Sequence, residues 1–201
     1  MTEADPNDIK VILVGEMGTG KTSLIRVLMG DKFVEDAQMS TSSASFVRKR
    51  MVVSGKEYFL DLWDTIGQEK FRSLTKIFIK DSKIVIFVYD ITRIKTFTEL
   101  DFWFKTVKDS LGEDAILGIA GNKKDLYTKE QVKEELIKKY AAEKNVPYKL
   151  TSAKEPISFI SFMEELLKNY LNKCGGIIES SGGKKLTDTK NNSQNGKKCC
   201  K

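Results

Sequence analysis

The chain has 201 residues, 31% of them charged, with a formal net charge of +6 and three cysteines. That length suits one domain with a full apolar core plus a tail, and cysteines at 174, 199 and 200 cannot staple it, a usage that fits a reducing cytosol. No run approaches 18 consecutive apolar residues, so no spanning helix is expected, and the acidic start Met1-Thr2-Glu3-Ala4-Asp5 is unlike a secretory signal.

Residues 9–14 read as a buried strand and residues 21–29 as the helix after it. Between them stands Gly15-Glu16-Met17-Gly18-Thr19-Gly20-Lys21-Thr22, the pattern G-x-x-x-x-G-K-[ST]. Its glycines let backbone N–H groups turn inward around an anionic phosphate chain, and the helix aims the positive end of its dipole at the same place. Lys21 is expected to reach the β- and γ-phosphates and the Thr22 hydroxyl to ligate Mg²⁺. Met17, Thr19 and Ser23 complete the expected nucleotide-contacting stretch.

Residues 45–53 and 57–63 read as two strands joined by the turn signal Ser54-Gly55-Lys56. The second runs into Asp64-Thr65-Ile66-Gly67-Gln68. A carboxylate at a strand end beside the phosphate loop is placed to hold Mg²⁺, usually through a water, because that ion sheds its hydration shell reluctantly. Gly67 can offer its N–H to the γ-phosphate, and Gln68 is placed to orient an attacking water. Taken alone, D-x-x-G is a common turn; its position after this strand and this loop is what makes it functional.

A helix is expected at 71–79, a strand at 83–89, a helix at 95–111 and a strand at 116–121. Asn122-Lys123-Lys124-Asp125 follows. Asp125 can accept hydrogen bonds from guanine N1–H and its exocyclic amine, whereas adenine would leave a buried carboxylate unpaired. The aliphatic stem of Lys123 can lie along the base. Beyond a helix at 129–144 and a strand at 146–150, Thr151-Ser152-Ala153-Lys154 can bring a backbone N–H to guanine O6, and a helix at 157–172 ends the alternation. Strands alternating with helices predict an α/β fold: a six-stranded, mostly parallel sheet with about five helices and its ligand at the carboxyl ends of the strands. From Lys173 to Lys201 there are seven lysines against two acids. Composition alone makes that tail a solvated tether; its charge also suits nucleic acid or an anionic membrane face.

The motifs GEMGTGKT, STSSASF, WDTIGQEKF, GNKKD and TSAK, in this order over residues 8–172, resemble the Ras-like small GTPases and, within them, the Rab family. Phe46, Trp63 and Phe78 match an aromatic trio that Rab proteins present to effectors, and Lys198-Cys199-Cys200-Lys201 is similar to their doubly geranylgeranylated endings. The resemblance implies a three-layer P-loop G domain over residues 1–173 and a flexible basic hypervariable tail over 174–201. It implies a switch that binds GTP and GDP with Mg²⁺, hydrolyses GTP slowly, and regulates vesicle-mediated membrane traffic. Phe33 is then placed to pack against guanine, Gln68 and Lys21 to act in catalysis, and Cys199 and Cys200 to carry lipid, two chains anchoring where one would hold only marginally. Effectors would read residues 34–46 and 65–78. The other implied partners are an exchange factor, a GTPase-activating protein, a dissociation inhibitor, a prenylation escort and a membrane, with a monomeric chain and no nucleic acid. Phe71-Arg72-Ser73-Leu74 and Tyr89-Asp90-Ile91-Thr92 point to Golgi-type members on the cytoplasmic face of a membrane.

The chain also departs from that family. Members show Thr-Ile-Gly with a Phe five residues after the Thr; Thr41 keeps that distance to Phe46, but ungapped counting from Thr22 reaches Ser40, and Ser42-Ser43 replaces Ile-Gly. Thr41 is the expected Mg²⁺ ligand, with Ser40 the alternative. Met17 and Ile66 replace small residues, and long side chains there would crowd Gln68 and slow intrinsic hydrolysis. Two other classes stay open: a scaffold that holds GTP with little hydrolysis, and a small-molecule kinase sharing the phosphate loop.

Overall fold

Alternation along the strands decides the architecture of the computed structural model, which describes residues 7–34, 45–64 and 77–175. In β1 (Asp8–Val14), Ile9, Val11 and Leu13 face one side and Ile12 and Val14 the other, as the two-residue period of a strand dictates. β4 (Ile84–Asp90) divides in the same way, with Ile84, Ile86 and Val88 opposite Val85, Phe87 and Tyr89. On the first face pack α1 (Lys21–Met29), through Leu24 and Leu28, and α5 (Ile157–Lys173), through Phe159, Phe162 and Leu166. On the second pack α2 (Ile94–Thr98) with Phe97, α3 (Leu100–Leu111) with Leu100, Trp103 and Val107, and α4 (Glu134–Lys144) with Ile137 and Ala141. Each such side chain stabilises by roughly 1.5–3 kcal/mol when fully buried. Burial from both sides is why β4 from Ile84 to Tyr89 and β1 from Val11 to Val14 read as apolar runs rather than alternating ones.

The remaining strands are β2 (Ser45–Val53), β3 (Lys56–Asp64), β5 (Ile116–Asn122) and β6 (Tyr148–Leu150), and the sheet order is β2-β3-β1-β4-β5-β6. Only β2 runs antiparallel, paired to β3 through the two-residue turn Ser54-Gly55, where both φ values are positive. The chain leaves β1 toward β3 on one side and reaches β4 on the other. The strand order therefore reverses at β1, and a crevice opens above its carboxyl end. The six-stranded, mostly parallel expectation holds. No described helix is long and apolar enough to cross a membrane.

Three expected boundaries move, each for a tertiary reason. The helix expected at 95–111 breaks at Glu99, where ψ is −7°, and this turn puts Phe97 and Leu100 into the same apolar cluster. The helix expected at 129–144 starts only at Glu134: residues 124–129 form a 3₁₀ turn, and the N–H groups of Gln131 and Val132 both go to the Ile91 carbonyl. The strand expected from 146 starts at Tyr148, because the Val146 N–H closes α4 by bonding Ala141 O, and Pro147 has no N–H to give. Of the helix expected at 71–79, residues 71–76 lie outside the described residues; 77–79 are helical, with Ile79 buried.

Candidate functional site

Parallel pairing lines up the carboxyl ends of five strands. Leu13 of β1 pairs with Asp64 of β3, Asp90 of β4 with Asn122 of β5, and Gly121 with Leu150 of β6. The loops leaving those ends therefore meet over one crevice.

The loop at 15–22 leaves β1 under close constraint. A Cβ at Gly15 would sit 2.1 Å from the Val88 carbonyl oxygen, and one at Gly20, where φ is +92°, would sit 2.3 Å from Asn122 Nδ2. Only glycine fits either place. No side chain caps the start of α1, so its first N–H groups face the loop, the arrangement that favours an anion. Lys21 is buried to 5% exposure, and its ammonium donates to the carbonyls of Gly15 at 2.8 Å and Glu16 at 3.0 Å, curling the loop around a positive charge. Burial lowers its pKa to about 8, against the opposing pull of Asp64 and Glu16.

The loops after β5 and β6 are clipped to this one and to each other. Asn122 Nδ2 donates to Thr19 O at 2.8 Å, and Thr151 Oγ1 reaches Asn122 Oδ1 at 3.4 Å. Asp125 accepts a 2.6 Å bond from Ser152 Oγ, which in turn accepts from the Lys154 N–H at 3.1 Å. The Lys154 ammonium lies 3.8 Å from Asp125 Oδ2 and 5.5 Å from the centre of the Phe33 ring. Ala153 is buried beside them. Phosphate loop, NKKD loop and TSAK loop are thus tied together by buried or partly buried hydrogen bonds, and Phe33 joins them through the more exposed Lys154 side chain. A family model described as the Ras family matches residues 10–172.

The chain belongs to the Ras family. It is similar to the Ras-related protein SEC4 of Candida albicans strain WO-1, 32% identical over 197 residues that cover 96% of this chain and 93% of the relative. The same-named proteins of Candida albicans and of its strain SC5314 match to the same extent. It is thus a small GTPase of the Rab/Ras type, and it binds GTP and GDP.

In this Ras-family GTPase the oxygens that would hold a cation converge from two elements. Thr22 Oγ1 donates to Asp64 Oδ2 at 2.6 Å, and Asp64 is buried at the end of β3. A hydroxyl beside a carboxylate is an oxygen-only donor set, which fits Mg²⁺. No group of three or more acidic, cysteine or histidine ligands occurs among the described residues. Thr41, Ser40, Ile66, Gly67, Gln68, Cys199 and Cys200 lie outside the described residues. Met17, expected to crowd Gln68, leaves 46% of its surface exposed, while Gly18 and Ser23 line the same loop and helix start.

One aromatic expectation gains geometry. Trp63 lies between Phe46, at 5.5 Å between ring centres, and Phe78, at 5.7 Å; Phe46 on β2 stays 48% exposed, while Trp63 on β3 and Phe78 on the helical residues 77–79 are half-buried. The Lys10 ammonium sits 5.0 Å over the Trp63 ring, with its pKa lowered by burial.

Sequence reasoning missed Asp90 and Arg93 as site residues. Asp90, 1% exposed, takes Lys123 Nζ at 2.7 Å and Arg93 Nε at 2.9 Å on one oxygen, and the Thr92 N–H at 2.9 Å and hydroxyl at 2.7 Å on the other. Burial alone would raise its pKa, but the bonds from Lys123 and Thr92 outweigh it and hold the carboxyl below its ordinary value. Lys123, expected along the base, is anchored by this pair and adopts a left-handed φ of 68°. A carboxylate closing the otherwise apolar run Ile84-Val85-Ile86-Phe87-Val88-Tyr89-Asp90 was the available signal, since a charge at such a place is retained only with partners.

Proposed function

We propose that this GTPase is a nucleotide-dependent switch on an intracellular membrane, hydrolysing GTP to GDP and phosphate and regulating vesicle traffic. The observation that carries the nucleotide part is Asp125 held by Ser152 while Asn122 ties its loop to Thr19, which sets a guanine-reading carboxylate at fixed distance from the phosphate cradle. Asp125 accepts from the base N1–H and amine, Lys123 flanks the ring, the Ala153 N–H meets O6 and Phe33 covers the edge. Gly15, Gly18, Gly20 and Lys21 hold the phosphates. Gln68 orients the attacking water, and the charge spread over the transferring phosphoryl group is met by Lys21 and loop N–H groups already in place. Thr22, Asp64 and Thr41 would hold Mg²⁺, which neutralises charge on the β- and γ-oxygens when bound.

The output of such a slow reaction is shape. The γ-phosphate draws Gly67 and Thr41 inward, and residues 34–46 and 65–78 then present the aromatic face to an effector. In the tail, residues 174–201, Cys199 and Cys200 carry the lipids, and the lysines add roughly 1 kcal/mol each near an anionic leaflet.

Single-turnover hydrolysis of bound GTP by the full chain, with Gln68→Leu beside it, tests the chemistry. Turnover that falls by orders of magnitude in the variant is expected; equal rates would remove Gln68 from the mechanism. Met17, half exposed on the phosphate loop, also suits a scaffold that keeps its GTP, and the nucleotide found on purified protein separates the two: GDP for the hydrolase, GTP for the scaffold. For the membrane role, the tail-intact protein should sediment with vesicles and a Cys199→Ser, Cys200→Ser variant should stay in solution.

A further inference from the structure

Arg93 stands just before α2, against the outside of the phosphate loop. Its Nη2 donates to the Met17 carbonyl at 3.0 Å while its Nε binds Asp90 Oδ2 at 2.9 Å. Asp90 cannot turn away, because Thr92 holds its other oxygen twice and Lys123 shares the first. The guanidinium is therefore a bracket with one arm on a buried carboxylate at the carboxyl end of the interior strand β4 and the other on one carbonyl of the loop. It also lies close to Gly18, whose Cβ position would be 3.4 Å from Nη2.

We propose that Arg93 is a positioning residue for the nucleotide's β-phosphate, acting by fixing the peptide plane between Met17 and Gly18. In a trans peptide the C=O and the next N–H point in opposite directions. Holding the Met17 carbonyl outward on Arg93 sends the Gly18 N–H the other way, toward the mouth of the loop that encloses the Lys21 ammonium. The plane needs a bracket because Gly18, at φ +72°, has little steric reason to stay put: a glycine can rotate on either side of φ zero at small cost. Met17, more than two-fifths exposed, has little packing of its own to resist a flip. A flipped plane would turn a carbonyl dipole toward the phosphates in place of a donor. Through Asp90 the same bracket joins the phosphate loop to Lys123, so the phosphate and base halves of the site share one buried anchor. Lysine cannot replace this arginine fully, since a single ammonium lacks the fixed fork that spans carboxylate and carbonyl.

The inference rests on reading residues 15–22 as a guanine-nucleotide cradle, and the test separates the two. The full-length protein is loaded with fluorescent GDP, and dissociation is followed for wild type, Arg93→Ala and Arg93→Lys, with ³¹P spectra of bound GDP recorded for each. Loss of a charge-assisted bond to the loop predicts dissociation roughly tenfold faster for Arg93→Ala, with partial recovery in Arg93→Lys. The β-phosphorus resonance should shift while the α-phosphorus resonance does not, which a merely structural role would not produce. Unchanged dissociation with an unmoved β resonance overturns the proposal, and so does an Arg93→Lys variant identical to wild type if Arg93→Ala fails to fold. Wild-type protein that does not retain GDP would overturn the cradle reading instead.

Discussion

The nucleotide crevice and the β2–β3 edge use polar residues in opposite ways. In the crevice Thr19, Asn122, Thr151 and Ser152 are buried, and their side chains bond in turn to the Glu16 carbonyl, the Thr19 carbonyl, the Asn122 amide oxygen and the Asp125 carboxylate. On the edge, Arg48 pairs with Asp61 and Asp8, and Arg50 with Glu57, all in contact with water. Removing one partner of a buried pair leaves the other desolvated and unmet, at about 1–3 kcal/mol or more for a charge; removing one partner of an exposed pair gives it back to water at ~0–1 kcal/mol. The binding side of this GTPase is therefore rigid and intolerant of change. Its β2–β3 edge can vary in sequence at small cost to the fold.

The largest effect should come from Asp125→Ala, which removes the acceptor of two base hydrogen bonds and strands the Ser152 hydroxyl. Guanine nucleotide affinity is expected to fall roughly a thousandfold by calorimetry, while the nucleotide-free protein loses only about 1–3 kcal/mol of stability for the unmet Ser152 hydroxyl. A loss below about tenfold would mean the base is read elsewhere. Next comes Gly20→Ala. The new Cβ meets Asn122 Nδ2 at a positive φ, so the bond to Thr19 must break; ~2 kcal/mol of stability should be lost in denaturant titration, together with nucleotide affinity.

A pH series divides the same region by charge. Lys21 has its pKa lowered to about 8 in the free protein, and bound phosphates favour its charged form. Above pH 8 binding must therefore take up a proton, and affinity should fall by up to about tenfold per pH unit. The nucleotide-free fold responds with the opposite sign. The unfolded chain holds the extra proton between about 8 and 10.5, so stability of the empty protein rises through that window as far as this group is concerned. Affinity that stays flat from pH 7.5 to about 9.5 would contradict the buried ammonium. Smallest is Arg50→Ala on the edge, expected to change unfolding free energy by less than about 0.5 kcal/mol; a loss above about 1.5 would erase the contrast between the two regions.

Much of this was readable along the chain because it is local or periodic. The loop at 15–22 declares itself by glycine spacing, β1 and β4 by mostly apolar runs, and the hairpin by Ser54-Gly55. What was misread depended on contacts between distant segments. Residues 129–133 carry helix-compatible side chains, yet Gln131 and Val132 give their N–H groups to Ile91, some forty residues earlier. For Lys123 the sequence offered a stem that can lie along a base, but not the partner of its ammonium, Asp90 of the neighbouring strand. Arg93 showed no motif at all, since its meaning lies in a carbonyl 76 positions away.

The sequence by itself determined the ligand class and the architecture, because phosphate loops, guanine-reading loops and two-faced strands are written in residue types at fixed short spacings. Only the tertiary structure decided which buried carboxylate anchors the site and which arginine braces its phosphate loop. Those roles are set by parallel strand register, which places Asp90 beside Asn122 and brings α2 against residues 17 and 18, and no local pattern encodes a register between strands some thirty residues apart.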